Sequence, residues 1–137
     1  MPNWCENDLE VFGDKKEIKR FLKLVGKKFD FNKINPYPKK LNYNKGGYEW
    51  CKENWGTKWN ASNVNIDKLD DEIIVVHFDT AWAEPTPIIE KLGKMFPSLD
   101  FELRYFEGGM GFNGLFICKG GEIKRNSCSD YFGDRGG

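Results

Sequence analysis

The residues best suited to bind another molecule are concentrated between positions 48 and 61. This segment reads Tyr-Glu-Trp-Cys-Lys-Glu-Asn-Trp-Gly-Thr-Lys-Trp-Asn-Ala and holds three of the five tryptophans. Indoles next to lysine and asparagine can stack on bases or sugars, or anchor a protein interface. The alternative is an aromatic mini-core that pins this segment to the rest of the domain. The predicted binding residues are Trp50, Trp55, Lys58, Trp59, Asn60, Asp79 and Trp82.

Residues that could support catalysis or hold a metal occur in no spacing that requires either role. The cysteines (Cys5, Cys51, Cys118 and Cys128) form no C-x-x-C pair, and His77 is the single histidine. The usual zinc-ligand patterns are therefore missing. The glycine-rich run 108–114 lacks the Lys-Ser/Thr of a phosphate-binding loop. The carboxylates that could form an acid–base pair are Glu53, Asp79, Glu84, Glu102 and Glu107. We predict a protein that is not an enzyme and that uses no cofactor or metal.

Positive charge is concentrated in one part of a chain that is neutral overall. The 21 Lys and Arg residues balance 21 Asp and Glu, yet residues 15–45 hold 11 basic residues against only Glu17 and Asp30. A basic stripe of this kind can attract phosphates, or it can simply be a solvated helix face. Nucleic-acid binding is therefore kept as the alternative function.

Length and composition predict one folded domain in the cytoplasm of its cell. The chain has 137 residues, of which 39% are hydrophobic and 15% aromatic, which is enough to bury a core. No stretch approaches the roughly 20 apolar residues of a membrane helix. The first ten residues also lack the basic and apolar regions of an export signal.

Periodicity predicts a first strand around Leu9 and Val11 that ends at Gly13. A helix follows, with Asp14 as N-cap in a capping box with Glu17 and with its end at Gly26. Its buried face is predicted to comprise Ile18, Phe21, Leu22 and Val25. We further expect a short extended segment over 29–34, a surface loop over 35–47 and a short helix over 48–54.

The second half of the sequence predicts two strands, then a helix, then three further strands. Strands are expected over 59–66 and 72–80, and a helix is expected to begin at Pro85 and Pro87 and to stop at Pro97. Further strands are expected over 99–105, 112–118 and 122–126, the last two joined by a turn at Gly120 and Gly121.

This order predicts an α+β fold: a ferredoxin-like antiparallel sheet with two helices on one face and a small inserted helical segment. We expect a single domain over 1–137, an insertion at about 35–58 and a flexible tail at about 129–137.

Three motifs carry a family resemblance. They are Met-Pro-Asn-Trp-Cys-Glu-Asn over 1–7, Glu-Asn-Trp-Gly-Thr-Lys-Trp-Asn-Ala over 53–61 and Phe-Asp-Thr-Ala-Trp over 78–82, followed by Pro85 and Pro87. In these the chain resembles the YubB-like family of small plasmid- and phage-borne proteins, which have a ferredoxin-like domain and no established activity. The resemblance implies an accessory role inside a bacterial host cell and brings no catalytic residues. The Lys-rich loop 39–46 and the tail after Gly120 match it least.

The resemblance leads to the hypothesis of a protein-binding module that occupies a surface of a host protein. One such role is inhibition of a host defence system such as a CRISPR effector. The expected contacts are exposed aromatics around Trp50, Trp55 and Trp82. The alternative is a single-stranded nucleic-acid binder that uses sheet aromatics and the basic helix.

Overall fold

The computed structural model describes residues 3–130, which form one antiparallel sheet with helices. The strands are β1 (Trp4–Phe12), β2 (Ser62–Lys68), β3 (Ile73–Ala81), β4 (Asp100–Glu107), β5 (Phe112–Lys119) and β6 (Glu122–Asp130). The helices are α1 (Lys15–Val25), α2 (Tyr48–Asn54) and α3 (Thr86–Met95), with a 3₁₀ turn at Phe31–Lys33 and an irregular turn at Tyr43–Gly47 before α2. No helix in this part of the chain is long and apolar enough to cross a membrane.

The sheet has the strand order β2-β3-β1-β4-β5-β6, and all of its pairings are antiparallel. Its first four strands, with α1 after β1 and α3 after β3, have the ferredoxin-like arrangement. Strands β5 and β6 extend the sheet beyond β4. The predicted ferredoxin-like antiparallel sheet is therefore present, in a larger form of six strands and three α-helices.

One face of the sheet is buried under the helices. Successive residues of a strand point to opposite faces, so Leu9 in β1 shares its face with its cross-strand neighbours Val76 and Leu103, and all three are buried. From α1, Phe21 packs edge-on against Phe101 of β4 at a ring distance of 5.9 Å. A Cβ built at Gly93 of α3 would lie 3.3 Å from Cys118 of β5 on the same face. Helices α1 and α3 therefore cover one side of the sheet.

The other face points away from α1 and α3, and its central strands carry several carboxylates. Across the central strands, Glu6 lies opposite Asp79 and Glu10 opposite Glu102. Like charges placed directly opposite each other destabilise a sheet. The positive charge is located elsewhere, since residues 15–60 contain 13 Lys and Arg against 4 Asp and Glu. Basic α1 and the acidic open face thus lie on opposite sides of the sheet.

Helix α1 begins as predicted but without a capping box. The Asp14 side chain accepts a hydrogen bond from the Lys16 amide at 3.0 Å, which confirms the N-cap. Glu17 does not reach back to the cap. Its carboxylate instead pairs with Arg20 at 2.8 Å and accepts a hydrogen bond from Ser98 at 3.1 Å. Because these partners compete for the carboxylate, the reciprocal bond of a capping box does not form.

Two other predictions require correction. The segment 29–34 is not extended, because Asp30 caps a 3₁₀ turn at Phe31–Lys33 through the Asn32 amide. This turn directs Phe31 into the core rather than along a strand. The tail was expected to begin at about 129, but β6 includes Ser129 and Asp130. The remainder of the predicted tail lies outside the described residues.

Candidate functional site

The insertion between α1 and β2 has its own aromatic core, centred on Trp55. The Trp55 ring packs against Phe31, Trp50 and Tyr37 at centroid distances of 5.7, 5.6 and 6.2 Å. Its indole N–H donates to the Asn35 carbonyl at 2.9 Å. Phe31 in turn contacts Phe78 of β3 at 6.2 Å. These contacts attach the insertion to the sheet, so the alternative of an aromatic mini-core holds for this part of the cluster.

Asn60 connects the end of the insertion to the start of the 3₁₀ turn. Its side-chain oxygen accepts hydrogen bonds from the Phe31 and Ala61 amides at 3.0 and 2.8 Å. Its side-chain amide donates to Asp30 at 2.7 Å. Burial alone would raise the pKa of Asp30, but the hydrogen bonds from Asn60 and Asn32 outweigh it and lower that pKa. Both ends of the Asn60 side-chain amide are therefore used within the protein.

Three indoles gather where β1 begins and β3 ends, and we call Trp4, Trp59, Trp82 and Lys58 the indole patch. Trp59 and Trp82 are 42% and 43% exposed. Trp4 contacts Trp59 at a ring distance of 6.2 Å. The Lys58 ammonium lies over both exposed rings, at 4.4 Å from Trp59 and 5.6 Å from Trp82. This geometry is that of a cation–π contact shared by two rings.

A groove of about 440 Å³ opens beside the indole patch, and we call it the aromatic groove. Its volume is in the range of small-ligand pockets. Trp59 and Lys58 belong to both features. The remaining lining residues are Asn32, Tyr37, Leu41, Tyr43, Cys51, Trp55 and Asn60. Tyr37, Tyr43, Trp55 and Trp59 supply its aromatic rings, and the Lys-rich loop 39–46 contributes Leu41 and Tyr43 to the lining.

The carboxylates considered for acid–base chemistry are distributed over different parts of the protein. Glu107 is buried, and its two oxygens accept the Gly109 and Met110 amides at 2.6 and 2.8 Å, so it closes the β4–β5 turn. Burial raises the pKa of Glu84 on the loop before α3. Glu102 pairs with Arg104 at 3.1 Å on the open face.

His77 also lies on the open face, between Asp8 and Asp67. Its Nδ1 is 2.6 Å from the Asp8 carboxylate and its Nε2 is 3.4 Å from that of Asp67. Asp79 of the same strand accepts a hydrogen bond from Asn63 at 2.9 Å. Across residues 3–130, no group of three or more His, Cys, Asp or Glu side chains is arranged to hold a metal ion.

The cysteines differ in accessibility, which gives a prediction of thiol reactivity. Cys5, Cys51 and Cys118 are buried, whereas Cys128 on β6 is exposed. Burial, aided by the charge of Glu84, raises the pKa of Cys5 to about 12, and burial raises those of Cys118, to about 11, and Cys51. Because the thiolate is the reactive form, an aromatic disulfide reagent at neutral pH should modify one thiol quickly and three slowly.

This reactivity can be followed by the absorbance of the released thiolate. Cys128→Ser should remove the fast phase, and unfolding in urea should make all the remaining thiols react. Two or more fast thiols in the folded protein would contradict the burial described above.

The structure divides the predicted binding residues into two groups. Lys58, Trp59 and Trp82 come together at the surface. Trp55 is only 5% exposed, so the expectation that it forms part of an exposed contact is wrong, because its ring fills the core of the insertion. Trp50 is half-buried and packs edge-on against Tyr37 at 5.3 Å.

Asn60 and Asp79 have other roles in the structure, and Trp4 joins the exposed indoles. Asn60 serves the internal hydrogen bonds of the insertion, and Asp79 points to the open face. Trp4 was not among the predicted binding residues. Its place in the N-terminal motif was visible in the sequence, but its proximity to Trp59 depends on the pairing of β1 with β3.

Comparison with known proteins gives the family and the fold. A family model described as the ferredoxin-like domain in Api92-like protein matches residues 54–132. The chain is similar to the crystal structure of a protein Api92 from Yersinia pseudotuberculosis, with a TM-score of 0.77 and 8% sequence identity over 98% of this chain and 99% of that chain. At this identity the likeness concerns the fold alone, and it confirms the predicted ferredoxin-like domain. A search of curated proteins finds no match.

Proposed function

Since the chain belongs to the family of the ferredoxin-like domain in Api92-like protein, whose description names no activity, we propose from its surface that it is a non-enzymatic protein-binding module. The observation that carries this proposal is the indole patch, in which Trp59 and Trp82 are each more than two-fifths exposed. Tryptophan is the residue most enriched at the energetic centres of protein interfaces. Two such rings beside each other at the surface form a compact contact that a partner protein can cover.

The backbone of Trp82 supports a functional reason for this exposure. Trp82 has φ of +73°, a left-handed conformation that bulky residues rarely adopt. It is held there by its amide, which donates to the Asn3 carbonyl at 2.9 Å. Such a conformation costs on the order of 1–3 kcal/mol and persists only where the surroundings enforce it. Here the hydrogen-bonded turn at Trp82 exposes an indole to solvent. A residue that contacts a partner protein is expected to be placed in this way.

The biological setting is proposed from the sequence motifs. We place the protein within the YubB-like group carried by phages and plasmids, acting in the cytoplasm of a bacterial host without cofactor or metal. A module of this kind can act by occupying the working surface of a host protein. Inhibition of a defence system, such as a CRISPR effector, is the form of that role proposed here.

The test is capture of a partner followed by a measured affinity. The tagged protein would be used to isolate a partner from bacterial lysate after nuclease treatment, and the purified pair would be studied by calorimetry. We expect Trp59→Ala and Trp82→Ala each to weaken binding at least about tenfold, as loss of a central interface tryptophan does. Leu69→Ala is the matched control, since Leu69 is an exposed apolar residue on the β2–β3 turn. Unchanged affinity in both tryptophan variants, with native circular dichroism, would refute the patch.

A second candidate, binding of single-stranded nucleic acid, is favoured by Lys58 lying over two exposed indoles. Bases can stack on such rings while neighbouring lysines contact the phosphate backbone. The sheet aromatics do not support it, because Phe78, Phe101 and Phe116 are buried beneath the helices. This candidate requires an affinity for oligothymidylate that falls steeply with salt and weakens in Lys19→Glu or Lys23→Glu. Affinity that is flat with salt would exclude it.

A further inference from the structure

We infer that the aromatic groove is a socket for one apolar side chain, of the size of phenylalanine or leucine, carried by an acidic segment of the partner. This inference rests on the proposed function and adds the chemistry of the partner. It starts from the groove volume of about 440 Å³, which exceeds what a single aromatic side chain requires. Rings of Tyr37, Tyr43, Trp55 and Trp59 line this space.

The polar groups around the groove are mostly engaged within the protein. The Tyr37 hydroxyl donates to the Leu41 carbonyl, and the Tyr43 hydroxyl donates to the Lys58 carbonyl, each at 2.9 Å. Asn60 uses both ends of its amide internally. A sugar or a base that entered the groove would leave many of its own hydrogen-bonding groups unpaired, at a cost in affinity. An apolar side chain has no such groups, so it is the guest that this lining favours.

The positive charge beside the groove favours a partner segment with acidic residues on either side of the apolar side chain. Lys39, Lys40 and Lys45 belong to the loop that supplies Leu41 and Tyr43 to the groove, and all three are exposed. Among the ion pairs within residues 3–130, none involves these three lysines. Acidic residues on either side of an apolar anchor would therefore find three lysines that have no direct ion-pair partner in this part of the chain.

The groove and the indole patch form one continuous surface because they share Trp59 and Lys58. A partner segment that covers the patch can place its anchor side chain in the groove. A nucleic-acid strand is less well matched, because the Tyr37 and Tyr43 hydroxyls are engaged internally and leave the polar edge of a base without partners in the groove. The occupant is therefore an acidic peptide segment. An oligonucleotide tests the alternative, in which the groove binds nucleic acid.

Short peptides test the socket directly, with the five tryptophans as reporters. The probes are Ac-EEFEE-NH₂, Ac-EEAEE-NH₂ and Ac-KKFKK-NH₂, titrated to about 10 mM so that millimolar affinity is detected. The readout is the indole N–H resonances of the labelled protein, assigned with single Trp→Phe variants. We expect EEFEE to shift the Trp55 and Trp59 signals, and EEAEE and KKFKK to bind at least about fivefold more weakly, because one loses the anchor and the other the charge match.

The contrary results are equally specific. No shift with EEFEE, equal binding of EEAEE, or equal binding of KKFKK would overturn the inference. Stronger binding of a short oligothymidylate at the same two signals would also overturn it, in favour of nucleic acid.

Variants separate the groove from the indole patch. The double substitution Lys39→Glu/Lys40→Glu should weaken EEFEE binding at least about fivefold. Lys16→Glu/Lys19→Glu, in the first turns of α1, is the matched control that should leave it unchanged. Trp82 does not line the groove, so Trp82→Ala should retain peptide binding. If EEFEE binds but partner affinity is unchanged in both Trp59→Ala and Trp82→Ala, the patch proposal fails and the socket stands. If EEFEE does not bind while both tryptophan variants weaken partner binding, the socket is overturned and the patch stands.

Discussion

Replacing Trp55 with alanine should lower the free energy of unfolding by about 3–5 kcal/mol, the usual cost of deleting a buried tryptophan from a core. The ring contacts Phe31, Trp50 and Tyr37, and its N–H satisfies the Asn35 carbonyl. The substitution therefore removes the centre of the insertion core and leaves one carbonyl without its partner. Urea unfolding followed by circular dichroism measures the loss.

Trp59→Ala is the matched control for this prediction. Trp59 is the same residue type, four positions further along the chain, but 42% exposed, so its removal should cost less than about 1 kcal/mol. Trp55→Phe keeps most of the packing and should fall between the two. If Trp55→Ala and Trp59→Ala lost similar stability, the division of the tryptophans into core and surface would be wrong.

The second large effect is expected at Gly56, where alanine should destabilise the protein by about 3 kcal/mol or more. Gly56 has φ of +81°, which alone costs an alanine about 1–2 kcal/mol. A Cβ there would also lie 2.9 Å from the Glu84 carbonyl oxygen and 2.7 Å from Pro87. Neither atom is the end of a flexible side chain, so the loop before α3 would have to shift, which adds the cost of overpacking.

Gly120→Ala separates these two contributions. Gly120 has φ of +61°, but a Cβ there would meet no atom within 4 Å. This variant should therefore show the cost of the backbone conformation alone, near 1 kcal/mol. Thermal unfolding of both variants provides the comparison. Equal losses would mean that the contact between Gly56 and the loop before α3 carries no energetic weight.

The fold was predictable where a local pattern decides it. The spacing of Ile18, Phe21 and Val25 identifies α1, and those residues are buried in the structure. Adjacent Gly120 and Gly121 identify the last hairpin, and both adopt positive φ as the tight turn requires. These signals depend on a few neighbouring residues, so no tertiary information was needed.

Prediction was poorer where a distant contact decides the outcome. The Asp30 cap forms the 3₁₀ turn locally, but the burial of the Phe31 ring depends on Phe78 and Trp55, which are distant in the sequence. Likewise, Trp55 and Trp59 occur in the same motif and have the same composition around them. Which of the two indoles is buried depends on how the insertion packs against β3. Residue spacing does not reveal that packing.

The separation of charge described for the two sides of the sheet has a consequence for how a partner approaches. A molecule with no net charge exerts little long-range attraction, yet opposite charges on opposite sides give it a permanent electric dipole. Such a field is screened beyond about 8–10 Å at physiological salt. It therefore affects the final stage of an encounter by rotating the molecule, so that the lysine-bearing side turns toward an acidic surface. Added salt shortens the reach of this field and should therefore weaken the rotation.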